Sequence, residues 1–86
     1  MAKYKITIKK SAAKELEDIP KQQLRKIIKR IQSLAQNPRP HGSQKLSAQS
    51  RFRIRQGDYR IVYSVDDNDL IVDIVKIGHR REIYRL

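Results

Sequence analysis

The chain has 86 residues, 20 of them Lys or Arg against 9 Asp or Glu, for a formal net charge of +11. At this length one small core is expected, a single domain over 1–86 built as a sheet with one helical layer. The absence of cysteine excludes disulfides and thiolate metal sites, and a charge excess beyond what solubility requires points to a polyanionic partner.

Residues 3–9 alternate, with Tyr4, Ile6 and Ile8 on one side and Lys3, Lys5, Thr7 and Lys9 on the other, which predicts a half-buried strand. Ser11 is placed to cap a short helix over 12–19, where Ala12, Leu16 and Ile19 recur near helical spacing. Pro20 suits the first position of a second helix, since its missing N–H costs nothing there. In that helix Leu24, Ile27, Ile28, Ile31, Leu34 and Ala35 form an apolar stripe, and Lys21, Arg25, Lys26, Lys29 and Arg30 occupy the remainder. Asn37-Pro38 ends it, because proline disfavours helical geometry in the residue before it.

The segment 38–50, PRPHGSQKLSAQS, is polar and rich in turn formers, a surface loop with Leu46 pinned to the body. Three strand-like runs follow at 51–56, 59–65 and 70–77, joined by short turns at Gln56-Gly57-Asp58 and Asp66-Asp67-Asn68-Asp69, so antiparallel pairing is expected. The tail, GHRREIYRL, has the pattern of a final short strand. The expected class is α+β, a small antiparallel sheet of about four strands against an N-terminal helical hairpin, in the order β-α-α-β-β-β.

Charge is distributed with the same parity. Phe52 and Ile54 point one way and Arg51, Arg53 and Arg55 the other. With Tyr59, Ile61 and Tyr63 packed inward, Arg60 joins the arginines of its neighbour. Lys76 and Arg80 share one parity in the third run, and Arg81 and Arg85 extend the basic cluster. Asp73 interrupts that run and leaves its facing open.

Exposed strands often carry Lys and Arg for solubility and edge protection. Here, however, three strands bring guanidinium groups to one surface, where repulsion is unfavourable unless an anion is bound. The planar guanidinium fork matches phosphate oxygens in bidentate fashion, and Tyr84 adds a ring able to stack on a base. An RNA- or phosphate-directed site is therefore the sequence-based expectation.

No paired carboxylates, Ser–His–Asp arrangement or clustered acids for a metal-dependent nuclease are visible, and glycines 42, 57 and 78 form no phosphate loop. No cofactor is expected. One chemistry needs none of these: RNA supplies its own nucleophile, the 2′-hydroxyl, and the protein aligns it and neutralises the phosphorane. Arginines suit the neutralisation but scarcely give up a proton, so proton transfer falls to Tyr84, His79, a lysine or water. His41 has no supporting neighbours, and Tyr59 and Tyr63 read as core. No apolar run approaches the roughly 20 residues that span a bilayer, and no secretory or lipidation signal is visible, so a cytoplasmic protein without membrane contact is expected.

The pattern RFRIRQGDYRIVYSV, followed by IGHRREIY, resembles the RelE branch of the RelE/ParE toxin superfamily. The resemblance covers nearly the whole chain, including the helical hairpin ending in NPRP and the loop containing KL. It implies a toxin of a type II toxin–antitoxin system that enters the ribosomal A site and cleaves mRNA as a metal-independent endoribonuclease. Carried over by position, Arg51 and Arg53 would flank the scissile phosphate and Arg60 would bind it. Arg80 would neutralise the leaving side, and Tyr84 would orient the nucleotide or assist proton removal. Arg55, Lys76, His79, Arg81 and the helical set Lys21, Arg25, Lys26, Lys29 and Arg30 would contact RNA, much of it ribosomal. The implied partners are a cognate antitoxin, the ribosome and mRNA, with promoter DNA reached only through the antitoxin complex. Two alternatives share the fold: a ParE-type inhibitor of DNA gyrase that cleaves nothing, and a basic RNA-binding module without catalysis. Some family members carry lysine where Arg51 and Arg53 stand, which leaves the general acid open.

Overall fold

A computed structural model describes residues 3–46 and 50–79. Among these the chain runs β1 (Lys5–Ile8), α1 (Lys10–Leu16), α2 (Lys21–Ser33), β2 (Gln44–Leu46), β3 (Arg51–Gln56), β4 (Tyr59–Asp66) and β5 (Ile71–His79). The α+β class and the helical pair are as the sequence pattern requires. The sheet is richer than expected. It has five strands in the order β1-β5-β4-β3-β2, and it is mixed, because β1 runs parallel to β5. The extra strand, β2, forms inside the segment read as a loop and pairs with β3 over only three residues.

The parallel seat of β1 accounts for Asp73. Thr7 stands opposite Asp73, and its hydroxyl donates to the carboxylate at 2.8 Å, while Lys9 pairs with the second oxygen at 3.2 Å. A carboxylate within an apolar run is thus satisfied by a strand more than sixty residues away in sequence.

A bulge in β5 resolves the facing of 70–77. Val62 pairs with Lys76 but the next residue, Tyr63, pairs with Ile74, leaving Val75 as the extra residue. Strict alternation from Val72 and Ile74 would have driven Lys76 into the core. The bulge instead turns Lys76 to the face of Val62 and sends Ile77 inward, where it is fully buried.

On the helix side, Phe52, Ile54, Ile61, Tyr63, Val65, Val72, Ile74 and Ile77 meet Ala12, Ile19, Ile27, Ile31 and Leu34 in one core. Ile27 and Leu34 are completely buried, so truncating either to alanine should cost about 2–5 kcal/mol. Ile28, by contrast, is 39% exposed, so the buried stripe of α2 is narrower than its apolar run. Ser11 lies within α1; Lys9 occupies the N-cap position, and no side chain caps the helix. Pro20 sits one position earlier than expected, at the N-cap of α2, where its carbonyl accepts from the Leu24 N–H at 2.8 Å.

The NPRP segment fastens the end of α2 to the sheet. The Tyr63 hydroxyl donates to the Pro38 carbonyl at 2.7 Å. Arg39 forks onto both oxygens of Asp67 and lies 5.2 Å over the Phe52 ring. The Tyr4 hydroxyl completes this cluster by donating to Asp67 at 2.7 Å. The Gly57-Asp58 hairpin has Gly57 at φ +61°, the position where a two-residue turn of the II′ kind favours glycine. No helix among the described residues is long and apolar enough to cross a membrane.

Candidate nucleic-acid interface

Residues directly opposite one another in an antiparallel pair share a face. Arg51 stands opposite Ser64, Arg53 opposite Val62, and Arg55 opposite Arg60, so the four arginines of the hairpin lie on the face away from the core. Arg51 and Arg55 are exposed and Arg53 is half-buried. Arg60 is different. It is only 5% exposed, the single buried charged residue among those described.

No carboxylate pairs with Arg60 among the described residues, and its hydrogen bond is a long one, 3.4 Å, to the Tyr59 carbonyl. A buried guanidinium without a carboxylate is costly, and a like charge directly opposite adds to that cost. Val62, also buried, gives this face an apolar floor along which arginine stems can lie.

Arg53, Arg55 and Arg60 line a cleft of about 360 Å³ together with Arg30, Gly42, Gln44 and Ile54. The cleft forms because β2 begins only at Gln44, opposite Arg53, leaving the β3 edge beyond Arg53 without a strand beside it among the described residues. The Gln44 side-chain carbonyl accepts a hydrogen bond from the Arg53 guanidinium, orienting it. Among the described residues no carboxylate lines this cleft. Sequence reasoning placed Arg30 with the outer helical lysines; only the packing of α2 against β3 brings it to this site, and Gln44 was not anticipated at all.

Arg51 borders a separate cleft of about 440 Å³, with Val62, Val75 and Lys76 from the sheet, Ser11, Lys14 and Glu15 from α1 and Asp18 from the turn after it. The bulge puts Lys76 on the face of Val62, but its ammonium is paired with Glu15 at 3.1 Å. The other oxygen of Glu15 accepts the Ile77 N–H at 3.1 Å, covering the β5 edge where β1 has already ended. Arg51 and Arg53 thus share a face but open onto different clefts.

His79 pairs with Tyr59 and meets its ring edge-on at 5.8 Å, on the face opposite Arg60 and Gly78. Its alternation takes it away from the arginines. Tyr63 is fully buried, and burial pushes its phenol up to about 12, as befits a core residue. On α2, Lys21, Arg25, Lys26 and Lys29 are exposed and Arg30 is half-buried. Arg80, Arg81, Tyr84 and Arg85 lie outside the described residues.

A helical pair against a five-stranded mixed sheet is the fold that this chain shares with RelE toxins of solved structure. The family model of ParE toxins of type II toxin–antitoxin systems matches residues 6–84, nearly the whole chain. The chain is 32% identical over 87 aligned residues to the RelE1 protein of Methanocaldococcus jannaschii, covering 96% of this chain and 97% of that one. It is 29% identical to toxin RelE of Mycobacterium tuberculosis, over 96% of this chain and 88% of the other. Among solved structures, the archaeal RelE–RelB complex from Pyrococcus horikoshii superposes with a TM-score of 0.79 at 29% identity, covering 93% and 97% of the two chains. The chain therefore belongs to the RelE/ParE superfamily of type II toxins, on its RelE-like branch.

Proposed function

We propose that this toxin is a ribosome-dependent endoribonuclease that cleaves mRNA in the A site. The observation that carries the reading is Arg60: buried, with no carboxylate partner among the described residues, and set in a cleft with three further arginines and no described acid. Such a group awaits an anion, and the planar fork suits a phosphodiester. In the reaction the 2′-hydroxyl attacks the adjacent phosphorus, the 5′-oxygen departs, and the upstream product ends in a 2′,3′-cyclic phosphate. Arg60 and Arg53 neutralise the charge that builds on the non-bridging oxygens. Arg51 contributes from the neighbouring cleft, and Arg80 neutralises the leaving oxygen. Arginine retains its protons, so Tyr84, acting as the phenolate, is assigned the proton of the 2′-hydroxyl, and water supplies the proton that the departing 5′-oxygen takes up.

The structures of related toxins bound to RelB antitoxins support a cognate antitoxin for this chain as well. A strongly acidic or amphipathic antitoxin segment fits a body of charge +11. The cytoplasm, where ribosomes and mRNA are found, is the proposed site of action.

Primer extension on mRNA in programmed ribosomes tests the reading. Cleavage within the A-site codon that is lost in Arg60→Gln and Arg80→Ala supports it. Because the matching family model is that of ParE toxins, gyrase inhibition is the competing reading. Intact mRNA together with gyrase-linked DNA breaks would establish it instead.

A further inference from the structure

We infer that the RNA strand leaves the arginine cleft over the open edge of β3 and continues along α2, with Arg30 and Lys29 holding its flanking phosphates. The inference rests on the ribonuclease reading and specifies the path of the same strand. Two clefts carry it. The first is the arginine cleft; the second, of about 310 Å³, is lined by Lys26, Lys29, Arg30, Ser33 and Gln56. Arg30 lines both. Gln56, the last residue of β3, borders the second cleft, so the path follows β3 from Arg53 to its end, a distance of roughly 10 Å at strand rise.

Three features single out this exit. Neither cleft has a carboxylate in its wall among the described residues. The clefts beside α1 are both lined by Glu15 and Asp18, and the cleft at the hairpin turn by Asp58, each of which would repel a phosphate strand. The β3 edge beyond Arg53 has no strand alongside it among the described residues, so no ladder blocks the way. On α2, positions 26, 29, 30 and 33 are three- and four-residue neighbours and present one continuous face. Contacts of this kind bind phosphates and hold the strand in register without reading bases.

The test uses the full-length protein and 2′-O-methyl RNA, which lacks the attacking hydroxyl. Affinity is measured against salt for a trinucleotide, which fills the arginine cleft, and for an octanucleotide, which reaches α2. Each phosphate neutralised on a single strand adds about 0.7 to the slope of log affinity against log salt. Lys29→Gln should lower the octanucleotide slope by about 0.7 and leave that of the trinucleotide unchanged, whereas Arg30→Gln, at the junction of the two clefts, should lower the octanucleotide slope by about 0.7 and the trinucleotide slope as well. Arg60→Gln should lower both, Lys21→Gln neither, and Arg30→Lys should restore the wild-type slope. If Arg30→Gln and Lys29→Gln keep the wild-type octanucleotide slope while Arg60→Gln lowers it, the path is refuted and the ribonuclease reading stands. If these two variants weaken only ribosome binding, the α2 groove serves ribosomal RNA and the inference is overturned. If Arg60→Gln changes neither slope, the cleft reading fails with it.

Discussion

Replacing Arg60 with methionine should stabilise the free protein while sharply lowering the proposed cleavage activity. The side chain is 5% exposed, so most of its hydration is lost on folding, at a cost of several kcal/mol. Its 3.4 Å bond to the Tyr59 carbonyl returns about 0.5 kcal/mol at that length. Arg55 stands directly opposite, and because Arg55 is exposed, water screens their repulsion to about 1 kcal/mol. Methionine has similar length and no charge, and swaps of buried ions for apolar isosteres commonly gain about 1–4 kcal/mol. A gain of about 1–2 kcal/mol is expected here, raising the Tm by roughly 4–8 °C per kcal/mol for a domain of this size. Differential scanning calorimetry at low ionic strength, in a buffer without oxyanions, reads this directly. Added inorganic phosphate should raise the Tm of the wild type and leave that of Arg60→Met unmoved. Cleavage in programmed ribosomes should fall by about 100- to 1000-fold, the usual loss when a charge-stabilising donor is removed. A variant that melts below the wild type in the oxyanion-free buffer would refute the argument and make Arg60 a structural residue.

Other consequences concern the scaffold. Glu15→Ala should destabilise the fold by about 1–3 kcal/mol by stranding the Ile77 N–H, whereas Glu15→Gln, which keeps an acceptor, should cost less; denaturant titration separates them. Burial raises the Tyr63 phenol to about 12, so its contribution is intact below the unfolded value near 10 and is lost as pH climbs from there through about 12. Alkaline unfolding followed by circular dichroism should therefore lose part of its pH dependence in Tyr63→Phe. Hydrogen bonds from Arg39 and then Tyr4 hold the Asp67 carboxyl below its ordinary value. Its contribution is present above about 4 and disappears as pH falls through the lowered value, which carboxyl NMR titration checks. Asp67→Asn should remove that acid-side dependence.

The facing of β3 and β4 was legible because alternation is a local property: Phe52, Ile54, Ile61 and Tyr63 must share one side whatever else the chain does, and the arginines between them take the other. The presence of α2, the hairpin at Gly57 and a polar turn between β4 and β5 follow from equally short-range rules, although α2 ends at Ser33, before Asn37-Pro38, and Asp66 belongs to β4. Lys76 and His79 show the limit of such rules. Nothing local announces that Val75 is a bulge residue, yet that residue puts Lys76 on the Val62 face and, with the alternation that follows it, His79 against Tyr59. Ser11 illustrates the same limit at small scale, since a good capping residue was passed over when the helix began two residues earlier.

The sequence by itself determined the class of fold, the separation of an apolar face from an arginine face, and the excess of positive charge. These depend on periodicities of two and 3.6 residues and on composition, which no distant contact alters. Only the tertiary structure decided that β1 lies parallel beside β5, that Glu15 occupies Lys76, that Arg60 is buried, and that Arg30 reaches the cleft of Arg53 and Arg55. Each of these joins segments far apart in the chain. Such pairings are set by the packing of helices on the sheet and by strand register, for which the sequence pattern offers many near-equivalent solutions.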